Sequence, residues 1–461
     1  MNLRHALVLV PALVFSSILC PAAETQTATE DVPALLDFRE VVQQAREEVF
    51  PAVVYIKTRR EALEEGRQAT AESAGSGVII SEDGLVLSNW HVVERAIDVR
   101  CLLSDGRAMR ASVLGTDRTT DLALLRLHFD DGDATDPLPT APLGDSTGLR
   151  EGDFVMAMGA PWGLNRSVTL GIIACADRYL PGSSEYSLWL QTDASISPGN
   201  SGGPLVNSEG DVVGINTLGI LTGGDLGFAV PTETINELLP RLRQRGEVQW
   251  TWTGLQLQPL RDFERNTYFD ADTGVVVADT DPASPARAAG LRGGDRIVAI
   301  NGRAVTALSA EALPGIRRHL GLLPPDVPIE LDLVRDDAEW TILLEPREKG
   351  AVEGREIALR RWDMTVKAIN QFEAPDLYFH QPGGVFLYGV RRPGNAMNSG
   401  FRPRDIILEI DGRPVASLDD VESAHESALE RLDERTRARF TVLRNGLRRQ
   451  LVLEFARDYD R

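Results

Sequence analysis

Between residues 53 and 230 the chain alternates short apolar runs with Gly, Asp, Asn and Pro. Gly77-Val78-Ile79-Ile80, Leu85-Val86-Leu87, Asp121-Leu122-Ala123-Leu124-Leu125 and Asp211-Val212-Val213-Gly214-Ile215 are examples. Many short β-type runs with frequent turn signals predict a β-sandwich or barrel. Residues 35–50 and 236–245 instead carry apolar positions at helical spacing, so a helix is expected at each end of this region. Further upstream, residues 6–19 are apolar behind Arg4 and His5 and run into Cys20-Pro21-Ala22-Ala23. That run is shorter than the roughly 20 residues of a spanning helix. Its basic head and small-residue end predict an export signal over residues 1–22, with an uncleaved N-terminal anchor as the competing reading. A lipid on Cys20 is disfavoured by the bulky Leu19 before it. Residues 24–33 are polar and small, as in a flexible lead-in.

The rest of the chain repeats itself. Gly274 matches Gly384, Gly290 matches Gly400, Asp295 matches Asp405, and Gly302-Arg303 matches Gly412-Arg413. Ile297 and Ile300 match Ile407 and Ile410, and every pair lies 110 positions apart. A fixed offset across so many positions means two copies of one domain. The charged stretch 345–354 between them reads as a linker.

A chain of 461 residues suggests about three domains. The formal charge of −20 opposes sequence-independent nucleic-acid binding, because phosphates would be repelled. Removal of the signal leaves Cys101 and Cys175. Both sit in strand-like runs, and two buried free thiols are expected in preference to a disulfide. The six histidines are scattered without zinc spacing, and no nucleotide-binding loop occurs, so neither metal nor cofactor is expected.

One run stands out for chemistry: Gly199-Asn200-Ser201-Gly202-Gly203-Pro204. A serine nucleophile needs a base, the base needs an acceptor to orient it, and the developing oxyanion needs preorganised donors. His91 in Ser88-Asn89-Trp90-His91-Val92-Val93 and Asp121 in Thr120-Asp121-Leu122 precede Ser201 in the chain order His, Asp, Ser, one known order for such a triad. Glycines beside the serine let backbone N–H groups converge, which assigns the oxyanion donors to Gly199 and Ser201. Singly, each residue has a structural alternative: a packed histidine, a turn aspartate, a glycine loop. Asp117 competes with Asp121 for the acidic role.

Together these motifs resemble the HtrA/DegP family of exported serine proteases. Gly75-Ser76-Gly77-Val78-Ile79-Ile80, Leu103-Ser104-Asp105-Gly106-Arg107, Gln191-Thr192-Asp193-Ala194 and Gly227-Phe228-Ala229-Val230-Pro231 share in the resemblance, which covers residues 35–245. Trp90 departs from it, since the family more often has a smaller residue before this histidine. The resemblance implies a mainly β protein: a chymotrypsin-like double β-barrel over residues 35–245, then two α+β PDZ domains over 250–347 and 356–456. It implies an ATP-independent endopeptidase acting on unfolded or damaged exported proteins, periplasmic or otherwise exported, assembled as a homotrimer or larger homo-oligomer. A chaperone or peptide-binding scaffold is the alternative. A PDZ domain takes a peptide C-terminus as an added strand, and Trp252-Thr253-Gly254-Leu255 is the expected carboxylate loop of the first copy. At the 110-residue offset the second copy has Trp362-Asp363-Met364-Thr365, where an acid would repel a carboxylate. Pancreatic-type relatives carry an acid where this chain has the neutral Asn200, so activation is expected through ordering of loops 159–164, 181–186 and 218–226 and not through N-terminal processing. Leu218, Ile220, Leu221, Leu226 and Phe228 predict an apolar specificity pocket, with Asp225 exposed.

Overall fold

The computed structural model describes residues 38–459, apart from 65–66, 130–136, 161–165, 221–225, 263–265, 351–355 and Glu373. The expected signal lies outside the described residues. Helix α1 (Phe38–Val49) leads into a closed antiparallel barrel of β1 (Val53–Glu64), β2 (Arg67–Ile79), β3 (Leu85–Ser88), β4 (Ala96–Leu102), β5 (Ala108–Asp117) and β6 (Leu122–His128), in the order β1-β2-β3-β6-β5-β4. A short helix α2 (Trp90–Val93) follows β3. A second closed barrel runs β10-β11-β12-β9-β8-β7, built from β7 (Phe154–Gly159), β8 (Ser167–Arg178), β9 (Trp189–Thr192), β10 (Pro204–Asn207), β11 (Val212–Ile220) and β12 (Leu226–Pro231).

Strand periodicity explains how the barrels join. Successive side chains on a strand point to opposite faces. Along β7, Val155 and Ala157 enter the core of the second barrel, whereas Met156 and Met158 join the core shared with the first. Along β10, Leu205 and Val206 divide in the same way, and on β12 Ala229 points one way while Phe228 and Val230 point the other. Runs such as Leu85-Val86-Leu87, apolar on both faces, are buried on both faces. Helix α3 (Thr232–Arg245) closes the unit by burying Ile235, Leu238 and Leu242, spaced to lie on one face.

The two repeats form two similar α+β units. In the first, strands Leu255–Gln258, Val275–Thr280, Arg296–Ile300, Ile329–Arg335 and Ala338–Leu344 form a sheet in that order, with helix Leu313–Gly321 beside it. The second has Glu356–Leu359, Met364–Ala368, Val385–Val390, Ile406–Ile410, Arg437–Arg444 and Leu447–Glu454, with helix Leu418–Glu430. The repeated aspartates have one job. Asp295 and Asp405 are buried and hold Arg335 and Arg444, whose other guanidinium bonds go to the carbonyls of Gly290 and Gly400.

Two expectations need correction. Part of the charged stretch 345–354 is docked and does not act as a free linker. Arg347–Glu348 pairs with Thr251–Trp252, and the Lys349 amide donates to the Trp250 carbonyl at 2.7 Å. The Lys349 side chain is buried because Glu185 compensates its charge at 2.8 and 2.9 Å and the Tyr186 ring lies 4.9 Å away. Cys101 and Cys175 are both free, but only Cys101 is buried; Cys175 is half-buried. Burial pushes the Cys101 thiol up to about 12. Among the described residues no helix is long and apolar enough to cross a membrane.

Candidate active site

Three chain reversals converge between the barrels. The chain leaves β3 at Ser88 and turns at Asn89 into α2, which carries His91. Asp121 occupies the turn before β6 with a left-handed φ of 57°, a conformation that aspartate tolerates better than most side chains. Its carbonyl accepts from the Trp90 amide at 3.1 Å and the Asn89 side-chain amide at 3.0 Å. Its carboxylate accepts from the His91 amide at 3.0 Å and contacts His91 Nδ1 at 2.8 Å. The histidine is thus fixed by backbone and ring together.

Ser201 lies just before β10. Its hydroxyl donates to the carbonyl of Thr217 at 2.8 Å. The Thr217 hydroxyl in turn donates to the Asp121 carboxylate in a short hydrogen bond. Thr217 therefore links Ser201 to the Asp121–His91 pair. Sequence reasoning passed over this residue. Two polar residues, Asn216 and Thr217, ending the apolar strand run Val212-Val213-Gly214-Ile215 were the available signal.

Asp117 does not join the cluster. It is buried within the turn, accepting from the Thr120 amide at 2.9 Å, the Thr120 hydroxyl at 2.6 Å and Trp250 Nε1 at 2.8 Å. Burial raises its proton affinity, against the pull of those donors. Trp250 stacks on Tyr186 at 4.0 Å. Asp117 is an anchor for the segment leading into the first repeat.

Beside Ser201, the Gly199 and Ser201 amides donate to no other group among the described residues. Two amides left open at a loop are what an oxyanion requires. Asn200 is buried, with its side-chain oxygen 3.4 Å from the Ser167 hydroxyl. Of the pocket residues, Phe228 is buried and Leu226 exposed. Leu221 and Asp225 lie outside the described residues, as do the side chains of Leu218 and Ile220. Loop 181–186 is described, whereas 161–165 and 221–225 are not. Among the described residues no His, Cys, Asp or Glu cluster could hold a metal ion.

In the first repeat, Trp252 and Thr253 are buried and Leu255 is half-buried. Gly254 has φ 74°, and a Cβ there would lie 2.1 Å from the Ser284 Cβ. Among the described residues strand Leu255–Gln258 pairs only with Val275–Thr280, and Arg317 donates to the Leu257 carbonyl at 3.3 Å. In the second repeat Asp363 does not face an incoming ligand. It is buried, pairs with Arg391 at 3.0 Å and accepts from the Asn395 amide at 2.8 Å. The expected carboxylate repulsion therefore loses its basis, because the charge is already compensated.

The fold and this site define a trypsin-like serine peptidase followed by two peptide-recognition modules. The trypsin-like peptidase domain family matches residues 75–215, and PDZ domain families match 247–314 and 364–454. A probable periplasmic serine endoprotease DegP-like of Halomonas elongata is 36% identical over 363 residues, covering 77% of this chain and 73% of the relative. Its counterpart in Pseudomonas savastanoi pv. phaseolicola is 33% identical over 451 residues, covering 87% and 91%. Among solved structures, the HtrA-type protease AlgW with tripeptide superposes with a TM-score of 0.57 at 32% identity, covering 67% of this chain and 97% of that one. The chain belongs to the DegP-like family of HtrA serine endoproteases.

Proposed function

We propose that this protein is an ATP-independent endopeptidase of exported, periplasmic proteins that have unfolded or been damaged. Ser201 attacks the scissile carbonyl to form an acyl-enzyme, which water then hydrolyses. His91 takes the serine proton and later returns it to the leaving amine, and Asp121 holds the ring in the tautomer this requires. The Gly199 and Ser201 amides stabilise the oxyanion. The observation that carries the reading is the continuous contact path from His91 through Asp121 and Thr217 to the Ser201 hydroxyl. In the resting arrangement that hydroxyl rests on the Thr217 carbonyl, so catalysis begins with a rotation about its χ1 toward His91. Substrate binding supports such a change, since catalytic hydrogen bonds often tighten only in the complex.

The first PDZ domain takes peptide C-termini along the open edge of Leu255–Gln258, with the turn at Thr253 and Gly254 receiving the carboxylate. With a neutral Asn200, activity arises without N-terminal cleavage. Ser201→Ala tests the central claim. Degradation of an unfolded casein-type substrate should vanish while binding of the substrate persists; continued cleavage would refute the assignment.

A further inference from the structure

One buried hydroxyl is used by none of the roles above. Ser76 lies in β2, wholly buried, on the first barrel, facing the loop of the second barrel that carries Ser201. Its Oγ donates to the Gly199 carbonyl at 2.6 Å and accepts from the Ala160 amide at 2.8 Å. Its own amide donates to the Ser201 carbonyl at 2.8 Å. A serine hydroxyl has one proton. Because that proton goes to Gly199, the Ala160 contact can only be an accepted bond, and the direction of the chain Ala160 to Ser76 to Gly199 is fixed.

We propose that Ser76 is a positioning residue for the oxyanion hole, and that its hydroxyl couples the Ala160 segment to the orientation of the Gly199 amide. The peptide unit between Gly199 and Asn200 is gripped at both ends, its carbonyl by Ser76 and its amide by the Ser197 carbonyl at 2.9 Å. Gly199 sits at φ 104°, a region that glycine enters without penalty. With the following peptide clamped, rotation about that φ is the freedom left to the Gly199 N–H. Freed from Ser76, the following peptide can turn as well, and the donor no longer has one direction. A donor that is aimed in advance contributes far more than one that must be aimed during reaction. Ser76 touches no reacting atom.

This inference rests on the reading of Ser201 as nucleophile, and Ser201→Ala in the same assay tests that reading separately. Ser76→Ala in the full chain should lower kcat on a peptide substrate about tenfold, a fraction of the hundredfold or more seen when an oxyanion donor is removed outright. KM should stay within about twofold, since ground-state binding does not use the hole. Affinity for a peptide boronic acid, which places an oxyanion in the hole, should fall by the same factor as kcat. Unchanged kcat and boronate affinity in a folded Ser76→Ala protein would overturn the proposal, as would a fall in KM terms alone. If the variant does not fold, amide exchange in the unmodified chain decides. Boronate binding should slow exchange of the Ala160 amide, and no slowing there would overturn the coupling.

Discussion

Trp250 offers the sharpest quantitative test of how the protease domain is held to the first PDZ domain. Replacing Trp250 by Phe keeps an aromatic ring against Tyr186 but removes the indole N–H that reaches Asp117 at 2.8 Å. Asp117 then keeps two donors, both from Thr120. A hydrogen bond to a buried charged group contributes about 1.5–3 kcal/mol. Loss of part of the stacked ring adds about 0.5–1 kcal/mol. The variant should therefore lose about 2–4 kcal/mol. The two terms separate in a double-mutant cycle with Asp117→Ala, because only the hydrogen bond involves both residues. The expected coupling is about 1.5–3 kcal/mol, read from guanidinium denaturation followed by active-site labelling. The pH dependence supplies an independent sign. Burial raises the Asp117 proton affinity in the folded state above its unfolded value. Stability from this group is then greatest in acid and declines as pH rises through the folded value. Removing a donor to the carboxylate should steepen that decline. A coupling below about 0.5 kcal/mol, at the limit of additivity, would refute the anchoring role.

Other perturbations follow from contacts already described. Thr217→Val removes the hydroxyl on Asp121 but keeps the carbonyl under Ser201; kcat should fall about tenfold with little change in fold stability, as measured by peptide hydrolysis and thermal melting. Asp363→Ala removes the carboxylate that compensates the buried Arg391 in the second PDZ domain and should cost about 3–5 kcal/mol in that domain's unfolding. His425 packs edge-on against Trp362, and burial lowers its value to about 4 from the ordinary 6.5. The stability this neutral histidine contributes is complete above pH 6.5 and is lost as pH falls toward 4, so His425→Leu should flatten the acid limb of that domain's stability. Gly254→Ala should abolish capture of a C-terminal peptide by the first PDZ domain in fluorescence anisotropy, with proteolysis of a short chromogenic substrate retained.

The features legible in the sequence were those carried by local pattern. Alternating runs announced the strands, helical spacing announced α1 and α3, and the fixed offset announced the repeat, whose aspartates turn out to bind equivalent arginines. The nucleophile loop was conspicuous because glycines cluster around one serine. What escaped depended on contacts between distant segments. Thr217 lies 96 positions from Asp121, and nothing in its neighbours states that its hydroxyl points there. Ser76 was visible only as part of a motif, since its partner Gly199 is 123 positions away. The charged stretch at 345–354 misled because composition reports solvation on average. Lys349 is buried against the Glu185 carboxylate, which only the fold brings near. Asp363 misled for the same reason, its charge being cancelled by Arg391.

The pairing of Thr251 with Glu348 and Trp252 with Arg347 has a topological consequence. The chain enters and leaves the first PDZ domain through neighbouring strands, so the domain is a closed loop on a single stalk. Its removal need not disturb the path of the backbone, because the two ends of the cut already lie side by side. Trp250 and Lys349 at the foot of that stalk both rest on Tyr186, and Arg318 ties the same domain to Glu233 and Glu237, so a displacement of the module reaches the protease domain at the Tyr186 loop and at α3 together.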